Sequence, residues 1–428
     1  MASGLKLLIS LGNINQSHQA YSHDEIVKKP IYNFSNSRSD VVVINGDIRI
    51  HGKSSTIFIA SSSERGLHSW TLMPYPRKAD VSAMQRVRNW TMKFQVAAKL
   101  PDCIRKFSIP AVLFSTGGFS GNPYHDFSDL LIPLYLTARP FNQTLLFLVT
   151  DSHRSWISKF KPILERLSKH DVINIDKRDQ VLCFARTTIG LKAHDEELSL
   201  NPSQFPYYSI KHFRQFLQTT YSLERTSIND RLRSTRPRML IISRKNTRVF
   251  KNEGEVAKLG KNLGFDVVVG DIPCNMGIVA KFVNSLDVMV GVHGAGLTNM
   301  VFLPDNAVLI QIIPLGLESS AKRYYEFPTK EMTLRYLGYK VSVNESSLFG
   351  KYPADSEVYR DPGAVRSRGR QVPRYQLELR ALEDRPKWDP PSVSISQASL
   401  PVVGVLGAYT PTTGGELGEP QPRARPRP

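Results

Sequence analysis

Cysteine and long hydrophobic runs are both scarce in this sequence. Its 428 residues include only 3 cysteines, which excludes a disulfide scaffold and a zinc module built on several cysteines. Apolar runs such as 145–149 fall far short of the ~20 residues that a membrane-spanning helix needs, and no signal peptide is recognisable. The chain as printed is therefore predicted to be soluble.

Acidic residues are also in short supply, and the protein is basic as a result. Lys and Arg number 56 against 38 Asp and Glu, which gives a formal net charge of +18. Such an excess favours anionic partners, although a merely basic surface explains the composition equally well. No nucleic-acid motif accompanies the charge, so we expect no nucleic-acid partner.

The two ends of the chain differ from its middle. Residues 1–50 are polar and are predicted to form an irregular N-terminal segment. Residues 371–428 hold 10 of the 28 prolines, and we predict a disordered Pro/Arg/Gly-rich tail there. The remaining residues are apolar enough to form a core, and the length suggests two or three domains.

Between these ends, short apolar strands alternate with amphipathic helices in two separate runs. This order is typical of parallel sheets with helices packed against them. We therefore predict an α/β fold of two Rossmann-like domains that face each other across a cleft. Their predicted bounds are 51–205 and 206–350.

A glycine-rich loop follows the predicted strand at 287–292. It has the sequence GVHGAGLTN at 291–299 and opens a short helix, so its backbone amides can approach an anion. A tight turn around a packed histidine would explain the same pattern, but ligands of α/β proteins bind at such strand ends. The candidate ligand-binding residues are His293, Gly294, Ala295, Gly296 and Asn299.

A basic loop follows the predicted strand at 239–243. Arg244, Lys245 and Arg248 lie in this loop, where guanidinium groups can bind phosphate oxygens in pairs. A solvated basic loop is the alternative explanation.

A histidine and a carboxylate share one face of the helix predicted at 125–138. His125 and Asp129 are four residues apart and hence neighbours, and they are predicted to point away from the apolar stripe, toward solvent or a cleft. The carboxylate would orient the imidazole as a general base. Asp126 is less well placed, and a solvated His–Asp pair remains the alternative.

These segments together resemble one protein family. The strings are STGGFSGN at 115–122, HDFSD at 125–129, LVTD at 148–151, SRK at 243–245, VGVHGAGLTN at 290–299 and QIIP at 311–314. Shorter strings agree, namely KP at 29–30, GDIR at 46–49 and PYPR at 74–77. They occur in the order found in plant members of glycosyltransferase family 61, and the likeness runs from about residue 28 to about residue 370. The xylan-decorating enzymes of grasses are the most similar group.

The resemblance implies a GT-B fold and transfer of arabinofuranose or xylose from a UDP-sugar onto xylan, with inversion at the anomeric carbon. It also implies a type II membrane protein of the Golgi lumen, with other Golgi glycosyltransferases as candidate partners. His125 and Asp129 would be catalytic on the acceptor side, and the two loops at 244–248 and 293–299 would bind the nucleotide sugar. Because the chain has no Asp-x-Asp, we expect a site without a metal or another cofactor.

This chain departs from the family in three respects. A membrane anchor is missing, so we expect Met1 to lie downstream of the true start. Relatives carry cysteines where this chain has Tyr32 and Val42, as if one disulfide were lost, while the pairing of Cys103, Cys183 and Cys274 is left open. The family likeness ends at 351–370, and the tail beyond it resembles a frameshift or a retained intron.

Five Asn-x-Ser/Thr sequons are candidate glycosylation sites, at Asn15, Asn33, Asn89, Asn142 and Asn344. They are consistent with a protein of the secretory lumen.

Two alternatives to the xylan pentosyltransferase remain open. One is a relative that modifies glycoproteins with xylose or N-acetylglucosamine, and the other is a truncated paralogue that binds UDP-sugar without turnover.

Overall fold

The computed structural model describes residues 31–61, 69–194, 197–230, 235–245, 247–273 and 275–371. The chain divides into two compact units, with the boundary between Thr220 and Tyr221. The sequence places this boundary at 205/206 instead. The difference arises because the helix Ile210–Tyr221 packs on the first unit, where Phe213 contacts Tyr135 with ring centroids 5.4 Å apart. The predicted disordered tail, from 372 onward, lies outside the described residues.

The first unit is built on a ten-stranded mixed sheet. The strands are β1 Ile31–Asn33, β2 Val42–His51, β3 Thr56–Ser61, β4 Ser69–Leu72, β5 Trp90–Val96, β6 Arg105–Phe107, β7 Ala111–Ser115, β8 Leu146–Thr150, β9 Ile173–Asn174 and β10 Val181–Ile189. Their order is β4-β5-β3-β2-β10-β7-β8-β9, with β1 paired to β2 and β6 paired to β10. Strands β10, β7, β8 and β9 are mutually parallel, as a Rossmann-like half requires.

The prediction of an irregular segment at 1–50 is wrong for its described part. Strand β2 pairs antiparallel with β10 along most of its length, and it places Ile44, Ile48 and Ile50 in the core. Polar residues such as Asn45 and Asp47 interrupt these apolar positions, so the strand has no continuous hydrophobic run.

The helices of the first unit are short. They are Val81–Met84, Pro123–His125, Ile132–Ala138, Arg154–Lys159, Lys161–Leu167 and Ile210–Tyr221, with 3₁₀ turns at Ala97–Lys99, Arg139–Phe141 and Ile175–Lys177 and a π-helical segment at Asp126–Leu131. The predicted helix at 125–138 therefore exists, but its first part is wound as a π-helix. π-Helical segments of this kind occur frequently at functional sites.

The second unit carries a five-stranded parallel sheet with the order β12-β11-β13-β14-β15. Its strands are β11 Arg238–Ile242, β12 Asp266–Gly270, β13 Val288–Val292, β14 Val308–Ile313 and β15 Arg335–Lys340. The helices are Glu253–Asn262, Met276–Asn284, Glu318–Ala321, Phe327–Glu331, Glu357–Arg360 and Pro362–Gln371, with a π-helical segment at Lys322–Glu326 and 3₁₀ turns at Ile228–Asp230, Ala295–Phe302 and Val343–Glu345. Strands β13 and β14 are buried on both faces, which matches their continuous apolar sequences.

Two of the three cysteines form a disulfide. Cys103 bonds to Cys183 of β10, and Cys274 lies outside the described residues. Tyr32 and Val42 occupy neighbouring strands, and Tyr32 pairs with Val43 in the β1–β2 register. Within the described part of the chain, no helix is long and apolar enough to cross a membrane.

Candidate functional site

In the first unit, the structure brings His125 and Asp129 into direct contact. Nδ1 of His125 lies 2.9 Å from Oδ2 of Asp129, one π-helical turn away. An ionised carboxylate can only accept a hydrogen bond, so Nδ1 carries the proton. The lone pair of the neutral ring then lies on Nε2, which is the atom that a general base would use.

Asp129 is the centre of a buried ionic cluster and is not solvated. Its carboxylate is fully buried and accepts hydrogen bonds from Arg38, Tyr75 and Arg77 at 2.9, 3.0 and 2.7 Å. Burial opposes its ionisation, but the hydrogen bond from His125 and the charge of Arg77 outweigh burial and hold the pKa of Asp129 well below its usual range. Asp129 therefore stays ionised and fixes the orientation of the imidazole.

The prediction that the His–Asp pair points toward solvent or a cleft is wrong for Asp129. The π-helical winding turns Asp129 into the interior, while the side chain of His125 keeps 20% of its surface exposed. His125 also packs against Phe119, with ring centroids 4.7 Å apart. One member of the pair is thus accessible to a substrate and the other is shielded from water.

Glu197 extends the cluster, and sequence reasoning missed its role. It accepts hydrogen bonds from Arg77 and from the Tyr124 hydroxyl, each at 3.1 Å. The charged sequence HDEE at 194–197 is typical of a solvated turn, yet His194 and Glu197 are both buried. Glu197 can be buried because its carboxylate lies beside the guanidinium groups of Arg38 and Arg77, which pair its charge.

Asp126 has a different function from Asp129 although both are fully buried. It accepts hydrogen bonds from the indole of Trp156 at 2.9 Å, from Lys159 at 3.1 Å and from the amide of Gly121 at 2.7 Å. Burial raises its pKa despite the charge of Lys159. Asp126 therefore anchors the loop at 116–122.

Gly118 brings this loop against the ionic cluster. Its φ of +57° is left-handed, and a Cβ at this position would lie 2.4 Å from the ring of Tyr75. Only glycine fits this close approach without strain. The loop thereby holds the Tyr75 hydroxyl, which donates to Asp129.

In the second unit, the basic loop and the glycine-rich loop meet beyond the carboxyl ends of β11 and β13. Nη1 of Arg248 donates to the backbone carbonyl of His293 at 2.6 Å. Arg244 packs against Gly294 and donates from Nε to the carbonyl of Thr247 at 2.9 Å. Lys245 lies in the same loop but is exposed. The structure thus assembles the two arginines, and not the lysine, beside the glycines.

Among the described residues, the half-buried guanidinium groups of Arg244 and Arg248 lack the ion-pair partner that buried arginines normally have. Within the described residues, no carboxylate lies in salt-bridge distance of Arg244 or Arg248, and the buried Nε of Arg248 has no hydrogen-bond partner. Burial, with the nearby charge of Arg244, lowers the pKa of Arg248 to about 10. Two adjacent cations with an unused N–H are chemically suited to an anion.

His293 is held from several sides and is nearly inaccessible. Its ring accepts a hydrogen bond at Nδ1 from the side-chain amide of Gln311, and it lies face to face with Tyr324 at 6.2 Å. Tyr325, which is fully buried, donates its hydroxyl to the carbonyl of Gly294 at 2.7 Å. The backbone at 293–294 is therefore rigid before any ligand binds.

The other residues predicted in the glycine-rich loop shape it. Ala295 begins the 3₁₀ turn Ala295–Phe302, and Asn299 donates from its side-chain amide to the carbonyl of Gly296 at 2.9 Å. Asn299 therefore stabilises the turn. The sequence analysis did not predict Gln311, Tyr325 or Tyr336 at this site. Gln311 belongs to the string QIIP at 311–314, which contributes to the family resemblance but indicates no role for the residue.

Two further predictions concern metals and glycans. Among the described residues, no group of three His, Cys, Asp or Glu side chains could hold a metal ion. The described sequon asparagines are all exposed, at Asn33, Asn89, Asn142 and Asn344, so each is open to modification. Asn15 lies outside the described residues.

Comparison with known proteins shows what the chain is similar to. A sequence model of the family Glycosyltransferase 61 matches residues 124–310, a span that holds both sites. Alpha-1,3-arabinosyltransferase XAT2 of Oryza sativa subsp. japonica is 40% identical over 354 residues, which cover 81% of this chain and 60% of that protein. The chain thus spans about three fifths of the length of this relative.

Two relatives are covered more completely. Beta-1,2-xylosyltransferase XYXT1, also of Oryza sativa subsp. japonica, is 36% identical over 79% of this chain and 78% of its own length. Xylan glycosyltransferase MUCI21 of Arabidopsis thaliana is 35% identical over 78% of this chain and 72% of its own. Such identity over most of both sequences shows that the chain belongs to glycosyltransferase family 61.

Proposed function

We propose that this protein is an inverting glycosyltransferase that moves a pentose, arabinofuranose or xylose, from a UDP-sugar onto xylan during cell-wall synthesis. The observation that carries the proposal is the 35–40% identity over about four fifths of the chain to an arabinosyltransferase, a xylosyltransferase and a xylan glycosyltransferase. The two units are proposed to be the Rossmann-like domains of a GT-B fold, with the Golgi lumen as the compartment.

The donor is assigned to the second unit. The diphosphate of a UDP-sugar gains negative charge as the sugar departs, and Arg244 and Arg248 would stabilise that charge. Because the two guanidinium groups are already held in place, little reorganisation accompanies the reaction. Two fixed cations can replace a divalent metal ion in this role, so we propose a metal-independent reaction.

Proton transfer is assigned to the first unit. An acceptor hydroxyl of xylan attacks C1 of the pentose, the bond from C1 to the diphosphate oxygen breaks, and the hydroxyl proton passes to Nε2 of His125. The ionised Asp129 stabilises the imidazolium that results, since it faces Nδ1–H at 2.9 Å. One displacement at C1 inverts its configuration.

The experiment is a transfer assay on the full chain from a secretory host. UDP-xylose or UDP-arabinofuranose is incubated with xylo-oligosaccharides or with glycopeptides, in the presence of EDTA, and products are read by mass spectrometry. We expect one pentose to be added to the xylo-oligosaccharides. Addition to glycopeptides alone would refute the acceptor, and product only without EDTA would refute metal independence. UDP binding without any product would identify a non-catalytic relative.

A further inference from the structure

A chain of three hydrogen-bonding side chains runs from the half-buried Tyr336 of β15 to the glycine-rich loop at 291–299. The hydroxyl of Tyr336 lies 2.6 Å from Oε1 of Gln311, and Nε2 of Gln311 lies 2.6 Å from Nδ1 of His293. Gln311 is completely buried on β14. Its side-chain amide therefore connects Tyr336 to His293.

The placement of the two amide atoms of Gln311 sets the direction of both hydrogen bonds. Burial raises the pKa of Tyr336, so its hydroxyl stays protonated, and it donates a hydrogen bond to Oε1 of Gln311. The other end of the amide is an NH₂ group, which can donate but cannot accept. Nδ1 of His293 must then be the acceptor, and it carries no proton.

We propose that Gln311 and Tyr336 are positioning residues that hold His293 as a neutral imidazole with its proton on Nε2. His293 then acts toward the donor diphosphate as a hydrogen-bond donor and not as a proton acceptor. This second statement rests on the proposed function, whereas the position of the proton can be tested without it.

The charged and titratable groups around His293 favour the same state. Arg248 contacts its carbonyl, Arg244 packs against Gly294, and Arg366 adds positive charge near Arg248. The tyrosines that face the ring are Tyr324 and Tyr325. The negative charge of Glu326 adds to the rise in the pKa of Tyr336. An imidazolium would add a cation to a site already rich in guanidinium groups, with its Nδ1–H directed at the amide donor of Gln311.

The test is nitrogen NMR of the full chain labelled with ¹⁵N-histidine, at neutral pH and without ligand. The variant His293→Asn identifies the signals of His293. We expect Nε2 to be protonated and Nδ1 to be bare. A proton on Nδ1 would overturn the proposal, because it would mean that the amide is reversed and that His293 offers a lone pair at Nε2.

Tyr336→Phe tests the role of the tyrosine. Without the hydroxyl, the amide of Gln311 is free to rotate, so we expect both tautomers of His293 to appear and the affinity for UDP to fall about three- to tenfold. Tyr339→Phe is the matched control, since it removes a hydroxyl of the same strand that donates to Glu345. An unchanged tautomer in Tyr336→Phe would overturn the positioning role.

The two proposals fail in distinguishable ways. If the unmodified protein shows the expected tautomer but binds no UDP, the assignment of the donor site is wrong and the proton position stands. If it binds UDP and carries the proton on Nδ1, the donor site stands and the role of His293 as a hydrogen-bond donor is wrong.

Discussion

Gly294 lies so close to Arg244 that a Cβ built on the glycine would fall 2.1 Å from Nη1 of the arginine. The neighbouring atom is the far end of a flexible side chain, which can move aside at little cost to folding. Gly294→Ala is therefore expected to displace Arg244 and to weaken UDP binding about tenfold, with a small change in melting temperature. Calorimetry with UDP and thermal unfolding measure the two effects.

Gly296→Ala is the matched control for this substitution. A Cβ at Gly296 would have its nearest neighbour, the side chain of Ile242, at 3.5 Å, which is an ordinary van der Waals contact. We expect UDP affinity to fall less in this variant than in Gly294→Ala, because Arg244 keeps its position. Equal losses in the two alanine variants would show that the loop as a whole, and not the position of Arg244, governs binding.

His125→Ala is expected to reduce transfer about 10²- to 10⁴-fold, because the acceptor hydroxyl loses its proton acceptor. UDP affinity should not change, since the substitution leaves Arg244, Arg248 and the loop at 291–299 intact. Added imidazole should restore part of the rate. His212→Ala, which removes an exposed histidine of the helix Ile210–Tyr221, is the control for unspecific effects. Near-normal turnover in His125→Ala would contradict the assignment of the base.

The sequence predicted the parallel strands well and the ionic cluster poorly. Strands such as β8 are continuous apolar runs, and the apolar run at 145–149 matches Leu146–Thr150 to within one residue at each end. The strand β15, with the sequence RYLGYK, was not predicted because its apolar run is broken by Gly and flanked by Arg and Lys. Burial on both faces leaves a local signal, whereas partial burial leaves almost none.

The partners of Asp129 could not be read from local pattern. Arg38 lies 91 residues away in sequence and Arg77 lies 52 residues away, so only the fold brings them together. Tyr75 and Arg77 belong to the string PYPR at 74–77, which contributes to the family resemblance. The string indicates that the two residues matter, but it does not identify Asp129 as their partner.

The two buried carboxyl groups at 126 and 129 are expected to affect stability with opposite pH trends. The pKa of Asp129 is lowered in the folded protein, so its contribution to stability is present above about pH 4 and is lost as the pH falls. The pKa of Asp126 is raised by burial, so folding is favoured as the pH falls and the group gains its proton.

Asparagine substitutions at the two positions measure these trends directly. At neutral pH, Asp129→Asn should cost about 3–5 kcal/mol of unfolding free energy, because Arg38 and Arg77 lose their charged partner. Denaturant unfolding from pH 7 to pH 2 should show this cost constant down to about pH 4 and shrinking below it, while the cost of Asp126→Asn stays constant or grows as the pH falls. Parallel trends in both variants would contradict the opposite shifts of the two pKa values.

Arg248 gives the donor site a pH limit of its own. Because burial lowers the pKa of this guanidinium to about 10, UDP affinity should be constant from pH 7 to 9 and should fall as the pH rises through about 10.

Arg248→Ala should lose about 1.5–3 kcal/mol of binding free energy, which is roughly a 10- to 150-fold loss of affinity. The remaining affinity of this variant should no longer fall near pH 10, since the titrating group is gone. Lys258→Ala, which removes an exposed cation of the helix Glu253–Asn262, controls for the loss of a positive charge at a distance and should leave affinity unchanged. If Arg248→Ala keeps the same decline near pH 10, a different group titrates there and the lowered pKa does not belong to Arg248.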